Sequence, residues 1–441
     1  MQNHSLCEWR QFSGRLTADA FVVPLTFRAH LNPLGEIEFD FDDIAITPET
    51  YFLRNYLFPS ETGFKYFSMI GKSDDGIELE IERIHFSSEY FCDTENEHVQ
   101  LSGGSYSKAK LARNLTEKRH NPLIRMWLLG FERSHPLIQD CNLGVISMVE
   151  CPSNEDSDDL TGFLQIEANN DPFDISVWHD EAIKLLEHVR RVMSFASGLM
   201  LRVPIVEFYT VHELEVDVLS QIKQVSTASF PVFESYDRNS IFEASVNSFF
   251  DSPLKVKNLF IAIEWFVMNS SYAEVRLVNA MTVLENLISS NLEENDIWIM
   301  SDKKEFNNCR KLLRNVLRQG IEKWSIDDKE NQKKTLSDIN ENLANLNRHS
   351  LRQKLDILAS RWSIPLEEIG ETRIKAVINA RNSIIHEGHY KNEHDNSLWE
   401  HAMVARELVI RFIFRAIGFH GRYISHLDGY HAACFPPKND T

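Results

Sequence analysis

Apolar residues change their period once along this chain, from two to 3.6, which limits it to a β-rich part followed by a helical part. In Ile37-Glu38-Phe39-Asp40-Phe41-Asp42 apolar and acidic residues alternate, as in a strand with one face in the core and one in water. Ile77-Glu78-Leu79-Glu80-Ile81-Glu82 repeats the pattern, and Asn32-Pro33, Asp74-Asp75-Gly76 and Gly103-Gly104 supply turns. Antiparallel sheet is expected. One helix is predicted over 178–200 from the stripe Leu185, Leu186, Val189, Val192, Met193, Ala196 and Leu199, with a strand following at Val203–Thr210. The acidic run Asn154–Asp159 lacks the ligand spacing of a calcium loop and reads as a solvated turn.

Residues 225–252, with Pro231 and Pro253 at or beside them, look irregular and mark the domain boundary. Beyond Pro253 the helical period is almost continuous. Stripes run through Val256–Val267, Leu277–Ile288, Phe306–Leu317 (including Cys309, Leu313 and Val316), Leu336–Leu346, Leu351–Trp362, Ile374–Ile385 and Leu398–Ala416. The expected fold class is α+β: a β-rich N-terminal domain over 1–235, then an all-α helical bundle over 250–430. No repeat of solenoid length is visible.

Charge separates along the same line. Residues 1–250 hold 20 Lys and Arg against 39 Asp and Glu, whereas 251–441 hold 26 of each, so the net −19 belongs to the first part. Such a surface repels phosphate backbones, which directs any nucleic-acid contact to the second part. With 43% hydrophobic residues the chain can order itself. The six cysteines Cys7, Cys92, Cys141, Cys151, Cys309 and Cys434 have no C-x-x-C spacing and suit reduced, mostly buried thiols in a cytoplasmic protein. The N-terminal residues do not resemble a signal peptide, and no apolar run is long enough for a membrane span.

The stretch richest in chemistry is Ile374–Gly388, IKAVINARNSIIHEG. Arg381 falls on the stripe of Ile374, Val377, Ile378 and Ile385, where a cation needs a partner such as Glu285 or Glu264. Asn382 and His386 are i and i+4 neighbours, and Gly388 suits a left-handed helix stop that leaves His386 at the C-terminal end of the dipole. Arg381 and His386 are about 140° apart on a straight helix, so one chain converges them poorly. The residue types fit RNA cleavage. RNA carries its own nucleophile, the 2′-OH. His386 offers a proton acceptor or donor near neutrality, Arg381 a planar cation for the charge at phosphorus, and Asn382 a neutral positioning group.

Arg381-Asn382-Ser383-Ile384-Ile385-His386 resembles the motif of HEPN-domain ribonucleases, in which Arg, commonly followed by Asn or His, is separated from His by four to six intervening residues. Met281–Leu287 and Asn347-Arg348-His349-Ser350-Leu351 look like the ApeA-like branch of that family, over roughly 250–430, and residues 1–235 more loosely resemble its β-rich N-terminal domain. The resemblance implies a metal-independent endoribonuclease with catalytic Arg381, Asn382 and His386, no cofactor, and a site completed in a homodimer. It also implies an anti-phage, abortive-infection role, with RNA, tRNA among the candidates, as substrate and a phage-encoded component as trigger. The acidic domain would then sense rather than cut.

Other readings stay open on the same residues. Arg381 suits a bundle ion pair, His386 an ordinary helix-end histidine, Glu285 a structural partner, and Arg348 and His349 a solvated helix start. A non-catalytic HEPN-like interaction or RNA-binding module is the alternative function. The late histidines His386, His389, His394, His401, His420, His426 and His431 lack H-E-x-x-H spacing, so no metal ligands are assigned. Phosphate-binding, dinucleotide and serine-hydrolase motifs are absent from the sequence.

Overall fold

The computed structural model describes residues 7–437 apart from 20, 33, 49, 58–65, 93–96, 132–134, 152–159, 220–229, 269, 324–328 and 391–394. The acidic run at 154–159, Pro33 and His394 lie outside the described residues. Two compact units, 1–251 and 252–441, divide the chain.

The first unit is built on antiparallel strands: β1 (Arg10–Ala18), β2 (Phe21–Leu31), β3 (Ile37–Phe41), β4 (Ile44–Ala45), β5 (Phe67–Ser73), β6 (Glu78–Cys92), β7 (Glu97–Ser105), β8 (Lys108–Asn114), β9 (Leu123–Leu129), β10 (Leu137–Cys141), β11 (Gly144–Glu150), β12 (Gly162–Glu167), β13 (Arg202–Tyr209) and β14 (Glu213–Leu219). Their order is β10-β11-β12-β9-β13-β14-β8-β6-β5-β1-β2-β3, with β7 bridging β6 and β4. The alternation in β3 does what it predicts: Ile37, Phe39 and Phe41 are buried, and Glu38 and Asp40 are exposed.

Strand β6 serves two neighbourhoods. Glu78–Glu82 pair with β8, while His85–Cys92 pair with β7. Arg83, between them, has φ +54°, and the register to β5 shifts there, as a bulge that bends a strand requires. The bend curls the sheet until Ile37 N of β3 donates to Tyr106 Oη beyond β7, at 2.8 Å. Phe12, Phe27, Phe41 and Phe86 form a chain of ring contacts in the core so enclosed. Gly14 on β1 is opposite Gly71 on β5, and a Cβ at Gly14 would lie 2.0 Å from the Ile70 carbonyl oxygen, so the approach excludes a side chain.

Short α1 (Phe52–Leu57) and the long α2 (Ile175–Ser197) complete this half. Asp174 caps α2 by accepting from the amides of Ser176 and Val177, and Gly198 ends it at φ +67°. Leu185, Leu186, Val189, Val192 and Met193 cover β9 and β12. One expectation is corrected: within the irregular stretch 225–252, residues Asn239–Phe250 form α3. Ile241, Phe242, Ser245 and Val246 give it a buried face against α2, a short pattern masked by serines and neighbouring prolines.

The second unit contains α4 (Leu259–Phe266), α5 (Ala273–Asn291), a 3-10 turn (Glu294–Ile297), α6 (Lys303–Lys323), α7 (Lys329–Asn345), α8 (Leu351–Trp362), α9 (Glu371–Glu387) and α10 (Asp395–Ile417). Its centre is the packing of α10 on α4, α5 and α9. This unit is not all-α: Gly421–Ser425 (β15) and His431–Phe435 (β16) make an antiparallel hairpin after α10. The hairpin is anchored by Glu407, 1% exposed, which accepts from Ser425 Oγ at 2.9 Å, Arg411 Nε at 3.0 Å and Tyr423 Oη. Arg411 continues to the Pro365 carbonyl and Glu368, each at 2.8 Å, so the buried charges are paired and hydrogen-bonded.

Two further expectations fail. The α6 stripe is not buried: Val316 is 67% exposed and Cys309, Leu313 and Leu317 are also exposed, because α6 packs chiefly on α7 alone. The described cysteines form no disulfide but are not mostly buried, Cys7, Cys141, Cys151 and Cys434 being half-buried. No helix among the described residues is long and apolar enough to cross a membrane.

Candidate active site on helix α9

Ile374, Val377 and Ala380 form the buried face of α9. Ile378 is only half-buried and Ile385 is 47% exposed, which corrects the predicted stripe. Ile385 shares its angular position with Ile374 to within about 20°, so the two differ in burial by their place along the helix and not by the face they occupy. Gly388 stops the helix at φ +80°, its amide donating to the Ile384 carbonyl at 3.0 Å.

Arg381 leaves α9 toward α5, where its Nη2 lies 2.7 Å from Glu285 Oε1 and 2.9 Å from Oε2. Its Nη1 donates to Asn382 Oδ1 at 3.1 Å. The two charged side chains are 22% and 31% exposed, so the pair forms at the rim of the core and is open to water. Of the two partners considered from sequence, Glu285 is the one whose ion pair with Arg381 is described. Asn382 therefore acts on the arginine as well as lying beside it. A guanidinium has five N–H donors, and the two described partners leave Nε and part of Nη1 available to an incoming oxyanion.

His386 is exposed in the last turn of α9, with no hydrogen bond to it among the described residues. Within one chain Arg381, Asn382 and Glu285 are joined by hydrogen bonds, and none of the described hydrogen bonds ties His386 to them. Nearby Ser383 Oγ donates to Glu387 Oε2 and to the His389 carbonyl, tying the helix end to the turn behind it. His401 Nε2 lies 3.1 Å from Tyr390 Oη, and burial lowers its pKa. Among the described residues no three His, Cys, Asp or Glu side chains converge as metal ligands.

Asn347, Arg348 and His349 have a clear structural place. Asn347 is 4% exposed; its Oδ1 accepts from Met300 N at 2.7 Å and its Nδ2 donates to the Met300 carbonyl at 2.9 Å. Arg348 lies 5.6 Å from the Trp298 ring centroid, in a residue pair that also forms a β-bridge. Together they fasten the base of the α6–α7 pair.

Other charges escaped the sequence reading. Arg406 on α10 stacks 4.1 Å over Phe266, and Arg276 on α5 lies 5.4 Å from the Trp399 ring. Burial, with Arg276 adding to it, pushes Arg406 down to about 9. The visible signal was Arg406, Glu407 and Arg411 interrupting an otherwise apolar helix.

Comparison with family models, curated proteins and solved structures finds no match to this chain.

Proposed function

We propose that the second unit is a metal-independent endoribonuclease of the HEPN type that cleaves RNA by attack of its own 2′-OH. The observation that carries this reading is the held arginine: Glu285 fixes one edge of Arg381, Asn382 lies against the other, and the same helix ends in an exposed His386. In the proposed step His386 takes the proton of the 2′-OH as the O2′–P bond forms. The P–O5′ bond breaks, the departing O5′ takes a proton from water, and the products are a 2′,3′-cyclic phosphate and a 5′-OH. Arg381 stabilises the added negative charge on the phosphoryl oxygens.

Two copies of the motif facing each other across a two-fold axis would bring Arg381 of one chain toward His386 of another, which one helix does not allow. Supporting this, large apolar side chains remain exposed on α4 (Ile261, Trp265), in its connection to α5 (Met268, Tyr272) and on the starts of α5 and α10 (Val275, Trp399). The acidic first unit is assigned a sensing role, with a phage component as trigger in the anti-phage reading.

The test is incubation of the full chain with total cellular RNA in EDTA, with analysis of the termini. Cyclic phosphate ends are expected, and a strand with a 2′-deoxy residue at the cut must resist. The Glu285–Arg381 pair also favours a second reading, a non-catalytic interaction or RNA-binding module in which it merely joins two helices. Intact RNA at every protein concentration would select that one.

A further inference from the structure

We propose that helix α6 is a docking arm for the phosphate backbone of single-stranded RNA. Only the choice of RNA as the ligand rests on the ribonuclease reading; the arm itself rests on charge and geometry.

Between Phe306 and Ile321 the sequence has Arg310, Lys311, Arg314 and Arg318 and no acidic residue, in a protein of net charge −19. A solvated helix in this chain looks different: α7 mixes Lys333 and Lys334 with Asp338 and Glu341. Lys304, Lys311, Arg314 and Arg318 are all exposed and fall within about 80° of the helix circumference, over a length of about 21 Å. Arg310 lies outside this stripe and is committed to α7, its Nη2 donating to the Asn340 carbonyl at 2.8 Å. Among the described residues no carboxylate pairs with Lys311 or Arg314.

The arm has a fixed base. Ile299 N donates to the Asn347 carbonyl at 2.8 Å and His349 N to the Ile297 carbonyl at 3.0 Å, in addition to the two Asn347 side-chain bonds. That base continues from α5, whose last residue, Asn291, is six positions and about 9 Å along the helix from Glu285. The base of the arm therefore follows directly in sequence on α5, the helix that holds the Arg381 partner Glu285. Lysine and arginine on such a stripe neutralise successive phosphates and release their counterions, whatever the base sequence.

The experiment uses the full chain with His386→Ala as a common background. One protein keeps α6 and the other carries Lys304→Gln, Lys311→Gln and Arg314→Gln; circular dichroism checks their folds. Binding of a fluorescein-labelled 20-nucleotide single-stranded RNA is followed by anisotropy in EDTA at several salt concentrations. Each lost phosphate contact should reduce the slope of log affinity against log salt by about 0.7, so the triple variant loses about 2, with a fall in affinity of about tenfold or more at low salt. The charge-preserving pair Lys311→Arg and Arg314→Lys should bind like the parent, and each single Gln variant should show a part of the loss.

An unchanged slope and affinity overturns the proposal. So does a change in self-association by light scattering with RNA affinity intact, which would make the acidic unit of another copy the occupant. The ribonuclease reading is scored separately, in chains that retain His386. RNA bound through α6 but never cut sinks that reading and leaves the arm, while equal cutting with and without the three substitutions sinks the arm alone.

Discussion

A single nitrogen of Arg381, Nη2, lies between the two carboxylate oxygens of Glu285, at 2.7 and 2.9 Å, and so joins α9 to α5 at the rim of the helical core. Because both side chains reach water, the pair is worth much less to stability than a buried one. Arg381→Ala and Glu285→Ala should each cost about 1 kcal/mol or less in urea unfolding. For cleavage the two should differ. Arg381→Ala removes the proposed transition-state cation, with an expected loss of about 10²–10³ in rate, and Arg381→Lys should not rescue it fully. Glu285→Gln should lose far less, since it positions the arginine without touching the substrate. Equal losses for both would make Glu285 a participant.

His386 is exposed and makes no described hydrogen bond, so its removal should leave the fold unchanged. His386→Ala is expected to lower cleavage by about 10²–10⁴ while the unfolding midpoint moves by less than the error of the measurement. Undiminished cleavage by this variant ends the proposed mechanism.

Trp265, 41% exposed on α4, tests the two-fold arrangement. If α4 contributes to the interface, Trp265→Asp should shift the mass by light scattering from dimer to monomer and reduce cleavage together with it. A wild-type monomer that cuts RNA at micromolar concentration removes the need for a partner.

The first unit should have its own pH response. His188 on α2 is buried beside Ser248 of α3, Nε2 to Oγ 3.0 Å, and desolvation depresses its pKa to about 4. The folded value lies below that of the unfolded chain, near 6.5, so protons bind the unfolded state better. Stability is unaffected above about pH 6.5 and falls as pH drops from there toward 4, by about 2–3 kcal/mol at pH 4.5. Urea midpoints at pH 7 and 4.5 measure this; His188→Gln should remove that part of the difference.

Glu407 and Arg411 present the opposite case to the rim pair, at 1% and 3% side-chain exposure. Arg411→Met leaves a buried carboxylate short of its cation and should cost about 3–5 kcal/mol in unfolding free energy, and Glu407→Leu should be comparably severe. The hairpin β15–β16 should show it first, as faster amide exchange in Tyr423–Ser425. A loss below about 1 kcal/mol would mean the network carries little of the fold.

Periodicity alone was enough to locate β3, β13, α2, α5 and α8, because in each the local apolar pattern agrees with the face that is finally covered, and it located the motif helix α9 although Ile378 and Ile385 of its stripe are not buried. Gly388 and His386 at the end of α9 were legible for the same reason: a left-handed stop is a property of the residue and its neighbours in sequence. What periodicity could not decide is which apolar stripes find a partner. Leu313, Val316 and Leu317 on α6 and Ile385 on α9 have the spacing of core residues and remain in water, since burial depends on elements far along the chain. Helix α3 was hidden by serines whose hydroxyls turn back to the helix carbonyls, Ser245 to Phe242 and Ser248 to Ser245. At the site, the chain specified the identities of Arg381, Asn382 and His386 and their spacing. Only the packing of α9 on α5 turned the arginine inward to Glu285 and left the histidine outside, because side-chain direction is set by the neighbour that supplies the opposite charge.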